Sequence, residues 1–208
     1  MKVAVIGGTG AMGNALARHL AAAHHVIIGS RDPGRALEAA RGIPGADGTD
    51  YQGAARSAEL IVLAIPYEGM AQVRDFAGET DGKLVISAIN PMTAEGGLLR
   101  NELKDGSAAE ELARLLPGSR IATAFNNVPS GFMKDEVVPP VDVLVAAESR
   151  AIYDEAAKLV LSIREMRPLY AGPLDVARVV EEITPLLLNL ASLNGTRALA
   201  TRFVTRKG

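Results

Sequence analysis

The sequence predicts an α/β fold: a Rossmann-type, doubly wound, mainly parallel sheet with a small helical C-terminal segment. Three observations carry this. Short runs that are apolar throughout alternate with helical patterns along most of the 208 residues, as in parallel strands covered on both faces. The first run leads directly into a glycine-rich turn and a helix. Beyond Pro173 the alternation stops and a helical pattern takes over.

Lys2–Ile6 reads as a buried strand, Ala11–Ala23 as a helix and Val26–Gly29 as the second strand. Arg35–Arg41 reads as a helix opened by Asp32 as N-cap, with Pro33 at the first helical position. Leu60–Ile65 is a strand, Tyr67–Ala77 a helix and Lys83–Ser87 a strand. The stretch Asn90–Gly106 is glycine-rich and weakly patterned, and is expected as loop. Ser107–Leu116 reads as a helix closed by Pro117-Gly118, and Arg120–Ala124 as a strand. Val141–Ala147, Arg150–Ser162 and Glu165–Leu169 continue the alternation. The tail from Pro173 to about Val204 is expected to be mostly helical, with Pro185 forcing a break or kink. This organisation places the Rossmann-type domain at 1–170 and a helical segment at 171–208.

Composition narrows the function. With 48% hydrophobic and 22% charged residues the chain is neither disordered nor fibrous. A net charge of −2 offers no attraction for nucleic acid or an anionic membrane. The absence of cysteine excludes disulfides, thiol nucleophiles and thiolate metal sites. Ile183–Ala191 is interrupted by Thr184, Pro185 and Asn189 and is far shorter than the roughly 20 residues of a membrane span. The start shows no export signal. A cytoplasmic, soluble protein is expected.

Gly7-Gly8-Thr9-Gly10-Ala11-Met12-Gly13 carries the strongest local signal. Gly8, Gly10 and Gly13 fit G-x-G-x-x-G, which is common by chance. Here it follows an apolar strand, opens a helix and precedes a second strand on schedule, which favours a dinucleotide-binding turn over an ordinary strand-to-helix turn. The helix start offers unpaired N–H groups and the positive end of its dipole to a pyrophosphate.

NAD sites usually carry a carboxylate at the end of the second strand. This chain has Gly29-Ser30-Arg31 there. A hydroxyl and a guanidinium suit a 2′-phosphate, with Arg35 one turn later as a further contact, so the chemistry favours NADP. The competing reading leaves Arg31 as a solvated surface residue and gives the ribose to Asp32. At the ends of later strands stand Ile65-Pro66-Tyr67-Glu68, then Ser87-Ala88-Ile89-Asn90-Pro91, then Phe125-Asn126-Asn127-Val128-Pro129-Ser130. Such residues suit a polar planar ring and also serve as plain turn formers. His19, His24 and His25 lie on or after the first helix and are expected far from these strand ends. Neither Lys83 nor Lys134 is an evident proton donor. A carbonyl reductase needs such a donor. Hydride exchange between two organic carriers leaves the bond-making to the carriers and demands alignment and exclusion of water.

Gly7-Gly8-Thr9-Gly10, Gly29-Ser30-Arg31, Ile65-Pro66-Tyr67-Glu68 and the tail Arg167-Pro168-Leu169-Tyr170-Ala171-Gly172-Pro173-Leu174 closely resemble the F420H2:NADP oxidoreductases. So do Leu186-Leu187-Leu188-Asn189 and Asn194-Gly195, in the same order over nearly the whole chain. The resemblance implies that Thr9, Gly10, Ala11 and Met12 cradle the pyrophosphate of NADP and that Ser30, Arg31 and Arg35 hold its 2′-phosphate. Ile65, Pro66 and Tyr67 would flank the nicotinamide. The deazaflavin of coenzyme F420, as co-substrate, would lie near Ser87, Asn126, Val128 and Pro129, with the C-terminal helices closing the pocket. Hydride would pass from carrier to carrier without a protein acid or base, in a protein that is usually a homodimer. Asn126 stands where a family member carries histidine, and Tyr67 where it carries tryptophan. The alternatives are an NADPH-dependent reductase of a flavin, small carbonyl or imine, and a non-catalytic NADP(H)-sensing protein.

Overall fold

A computed structural model describes residues 1–133 and 139–204; Lys134 lies outside them. In chain order the elements are β1 (Lys2–Ile6), α1 (Ala11–Leu20), β2 (His25–Gly29), α2 (Pro33–Arg41), β3 (Asp47–Thr49), α3 (Tyr51–Ser57) and β4 (Leu60–Leu63). A 3-10 helix, Tyr67–Glu79, leads to β5 (Leu84–Ser87). The hairpin β6 (Met92–Glu95) and β7 (Leu98–Asn101) precedes α4 (Ala108–Leu115) and β8 (Arg120–Thr123). Then follow β9 (Val141–Ala147), α5 (Arg150–Leu161), β10 (Met166–Gly172), a 3-10 turn at Leu174–Val176 and α6 (Ala177–Leu193).

Eight strands form one sheet in the order β10-β9-β8-β5-β4-β1-β2-β3. Every neighbouring pair is parallel except β8–β9, which is antiparallel. Strand order reverses between β1 and β4, the point where open α/β sheets form a ligand crevice. The register brings the strand ends level. Ile6 lies beside Gly29 and Leu63, Leu63 beside Ser87, and Ser87 beside Thr123. The candidate residues that follow these positions therefore emerge along one edge.

The two sheet faces explain the continuous apolar runs. Val3, Val5, Val26, Ile28, Val62 and Ile86 point into one buried layer with α1, α2 and α5. Ala4, Ile6, Ile61, Leu63, Val85 and Ile121 point into the other with α3, α4 and the 3-10 helix. Burial of about 25 cal/mol per Å2 of apolar surface on both faces is the dominant stabilising effect. Asp32 caps α2 as expected, its Oδ1 accepting the N–H groups of Gly34 (2.8 Å) and Arg35 (3.3 Å).

Several expectations require correction. The helix over Ala11–Ala23 ends at Leu20, because the Ala22 and Ala23 N–H groups turn back to the closer carbonyls of His19 and Leu20. The stretch expected as one helix over Tyr67–Ala77 is 3-10 helix over Tyr67–Glu79, kinked at Phe76, whose φ of −129° is not helical. The loop expected over Asn90–Gly106 contains the β6–β7 hairpin. Pro185 does not break α6, which runs through it. Lacking an N–H, the proline frees the Glu181 carbonyl from its ordinary helical partner. The tail beyond Leu193 is not helical; Asn194 closes α6, and residues 197–204 form a non-helical strap. Residue 170 lies within β10. Among the described residues no helix is long and apolar enough to cross a membrane.

Candidate dinucleotide site

Between β1 and α1 the backbone must pass unusually close to its surroundings. Gly7 has φ of 87°, and a Cβ there would lie 2.4 Å from the Ala64 carbonyl oxygen at the end of β4. On Gly13 a Cβ would lie 2.3 Å from the Gly7 carbonyl oxygen. Only glycine permits this packing of loop, helix and neighbouring strand. No side chain caps α1, and the Asn14 N–H is the first to bond back, to Gly10 O at 2.8 Å. The N–H groups of Ala11, Met12 and Gly13 are thus open to an anion. Thr9, Gly10 and Ala11 border a cleft of about 370 Å3 with Asn14, Arg18 and Met133.

Ser30 and Arg31 follow the end of β2 and border one cleft, while Arg35 stands in the first turn of α2. Ser30 is buried and its Oγ accepts the Asp32 N–H at 3.3 Å. Arg31 and Arg35 are exposed, and neither guanidinium has a partner among the described residues. Asp32 is committed to capping α2. Arg31 borders two clefts, of about 250 and 260 Å3, which share Arg31, Tyr51 and Gln72. The second is closed by Ile65, Pro66 and Glu68. Tyr51 and Gln72 were not legible as site residues. Tyr51 belongs to α3, where the spacing of Tyr51, Ala54 and Ala55 is that of a buried helix face but the alanines signal it weakly. Burial pushes the Tyr51 phenol up, with Arg31 acting against it.

Ile65 is buried, Pro66 exposed and Tyr67 half-buried. The Tyr67 hydroxyl donates to Glu111 Oε2 at 2.7 Å. Burial first, then this bond, pushes the phenol up to about 12. Ser87 is fully buried, with its Oγ beneath the Ile89 N–H at 3.4 Å. Val128 belongs to the core, whereas Pro129 and Ser130 are half-exposed.

Asn126 differs most from the expectation of a donor facing a ring. It is 2% exposed and its amide is consumed internally. Nδ2 donates to Ile89 O and Asn90 Oδ1, each at 3.0 Å, and Oδ1 accepts from Thr123 Oγ1 at 2.7 Å. A buried amide must be satisfied, and here protein groups satisfy it. Its side chain braces the β5 and β8 loops, while its carbonyl accepts the Thr184 hydroxyl of α6.

Two further side chains of α6 take roles that the sequence did not assign. Glu181 is 1% exposed and accepts the N–H groups of Ala108 (2.9 Å) and Ala109 (3.1 Å) at the start of α4. Burial raises its carboxyl to about 7, with nearby Glu110 and Glu182 adding to the effect and the two backbone bonds opposing it. Its signal was a carboxylate inside an apolar helical stripe. Asn189 pins β7 by bonding both the N–H and the carbonyl of Leu99, each at 2.8 Å.

The histidines make structural contacts. His24 bonds Ser162 and His25 bonds Asp47, each at 2.9 Å. His19 is less remote than expected: it bonds the carbonyl of Met133, which borders the Thr9 cleft, at 2.9 Å. Lys83 is spent on the Ala55 and Arg56 carbonyls that end α3.

The sheet reversal, the glycine turn and the open helix start define a Rossmann-type dinucleotide-binding protein. Residues 2–91 match the family model described as NADP oxidoreductase coenzyme F420-dependent. The chain is 40% identical to the F420-dependent NADP reductase of Methanothermobacter thermautotrophicus, over 97% of this chain and 94% of that protein. It is 34% identical to the protein of that name from Methanocaldococcus jannaschii, over 91% and 92% of the two chains. This chain belongs to the F420-dependent NADP oxidoreductase family. A crystal structure from Arthrobacter sp. FB24, assigned as an F420-dependent NADP reductase, superposes with a TM-score of 0.87 at 25% identity, covering 99% of this chain and all of that one. An imine reductase from Streptomyces aurantiacus shares the fold, with a TM-score of 0.66 at 22% identity over 93% of this chain and 64% of that one.

Proposed function

We infer that this protein is an oxidoreductase that exchanges hydride between NADP(H) and coenzyme F420. The reading rests on one juxtaposition. Arg31 and Arg35, whose guanidiniums have no partner among the described residues, follow β2 and open α2 beside a glycine crevice, in a chain that matches an F420-dependent NADP reductase over 97% of its length. NADP fits the residues present: the crevice excludes any Cβ at Gly7 and Gly13, and the first N–H groups of α1 are open.

In this reading Gly8, Thr9, Gly10, Ala11, Met12 and Gly13 hold the pyrophosphate. Ser30, Arg31 and Arg35 hold the 2′-phosphate by charge-assisted hydrogen bonds. Ile65, Pro66 and Tyr67 flank the nicotinamide half. Pro129 and Ser130 offer surface to the deazaflavin, while Ser87, Asn126 and Val128 shape that wall from within. The chemistry supplied by the bound carriers is a hydride exchanged between nicotinamide and deazaflavin. The protein aligns the rings and excludes water. With Tyr67 neutral and bonded to Glu111, it is assigned no acid–base role.

The segment 171–208 closes the second pocket in this reading, through Thr184 on the loop after β8. A homodimer is part of it too: α6 exposes Val179, Leu186, Leu190 and Leu193 along one stripe suited to a second copy. Cytoplasmic placement rests on the cysteine-free sequence.

The test mixes the purified protein with NADPH and either F420 or FMN and follows NADPH oxidation. Turnover with F420 alone supports the reading. Turnover with FMN points to a flavin reductase, and binding without turnover to a sensor.

A further inference from the structure

Behind the loop after β8 lies an anchor that the hydride-transfer reading does not use. Phe125 is buried with φ of 67°, a conformation that a bulky side chain holds only when its surroundings enforce it. Asn126 ties the loop backward to the β5 end. Asn127, fully buried, ties it forward. Its Nδ2 donates to Asp142 O and to Thr201 Oγ1, each at 2.6 Å, and its Oδ1 accepts the Leu144 N–H at 3.1 Å. Every hydrogen-bonding position on that amide except one acceptor lone pair is therefore used.

Thr201 belongs to the non-helical strap that follows α6. The strap is fastened to β9 at one residue. The Asp142 N–H donates to Thr201 O at 2.9 Å. The buried Asp142 carboxylate takes Arg167 Nε (2.7 Å) and Nη2 (2.8 Å), and the Phe203 N–H at 2.5 Å. Arg202 lies 3.6 Å from it. Burial works against this charge, but the Arg167 and Phe203 hydrogen bonds and the two guanidiniums hold the carboxyl below its usual range.

We propose that Asn127 is a positioning residue for the second-substrate wall, and that the strap Thr201–Phe203, fastened on Asp142, sets its position through the Thr201 hydroxyl. This rests on the reading of Phe125–Ser130 as that wall. The strap then acts on the deazaflavin half of the site and leaves the NADP half, which is built on β1, β2 and β4, untouched.

Thr201→Val keeps the side-chain shape and removes the hydroxyl, which accepts from Asn127 and donates to Asp142 O at 3.4 Å; Thr201→Ser restores it. Each is measured for NADPH affinity, for the KM and kcat of F420 reduction, and for hydrogen exchange of the amides at 126–130. Loss of the buried hydrogen bond to Asn127 predicts a two- to tenfold fall in kcat/KM for F420, by about the ordinary worth of such a bond. Exchange at 126–130 should quicken in Thr201→Val, NADPH affinity should stay within about twofold, and Thr201→Ser should match wild type. Unchanged loop exchange, or a parallel fall in NADPH affinity, overturns the proposal. The exchange readout needs no turnover, so a wild-type protein inactive with F420 overturns the functional reading while the strap is still judged on its own.

Discussion

Gly13 sits so close to Gly7 that a Cβ on it would lie 2.3 Å from the Gly7 carbonyl oxygen. This contact sets the distance between the start of α1 and the end of β1, and so the width of the candidate pyrophosphate crevice. Gly13→Ala must push the loop and helix apart. Overpacking of this kind costs about 1–3 kcal/mol of stability. A shift of the open N–H groups should also cost at least about tenfold in NADPH affinity. Thermal melts and fluorescence titration with NADPH check both. An unaltered NADPH affinity would place the pyrophosphate elsewhere.

Arg31 has no hydrogen-bond or ion-pair partner among the described residues and borders both clefts. A hydrogen bond to a charged group is worth about 1.5–3 kcal/mol. Arg31→Ser should weaken NADPH binding by about ten- to a hundredfold and leave NADH binding nearly unchanged. Equal losses for the two cofactors would contradict a 2′-phosphate contact.

Glu181 gives stability a pH dependence of definite sign. Its carboxyl is raised to about 7 in the folded protein, against about 4.3 in an unfolded chain. Between these values the folded state binds the extra proton, so stability falls as pH rises through that window. The full cost is present above it and absent below it, at most about 3–4 kcal/mol. Urea unfolding of wild type and Glu181→Gln across this range isolates the effect as their difference. That difference should move in favour of the Gln variant as pH rises. A difference flat with pH would rule out ionisation at Glu181.

Tyr67 and Glu111 join the 3-10 helix to α4 at 2.7 Å. Tyr67→Phe keeps the aromatic face and removes only this bond. Stability should fall by about 1.5–3 kcal/mol, as for hydrogen bonds to charged groups. The pH–rate profile should keep its shape, because the phenol lies near 12 and stays neutral in the working range. Loss of an ionisation limb in the variant would give Tyr67 a chemical role.

How much was legible follows from what each segment buries. Strands such as β1, β4 and β5 are covered on both faces, and their apolar runs say so. β3 is Asp47-Gly48-Thr49, an edge strand with nothing apolar to signal it. The hairpin did carry a signal: Gly96 and Gly97, with φ of 58° and 79°, make the two-residue turn between Glu95 and Leu98. At the site, the glycine turn and Arg31 were readable because their roles follow from local chemistry. Asn126, Asn127 and Glu181 were not, because whether such a group faces a ligand or the interior depends on partners 36, 74 and 73 residues away.

The most direct measurement of the central claim is isotopic. NADPH carrying deuterium at both nicotinamide C4 positions is oxidised by the protein in the presence of F420, and the reduced deazaflavin is analysed by mass spectrometry. Direct hydride exchange places the label in reduced F420 and none in water. Label released to solvent, or no oxidation of NADPH by F420, would contradict it.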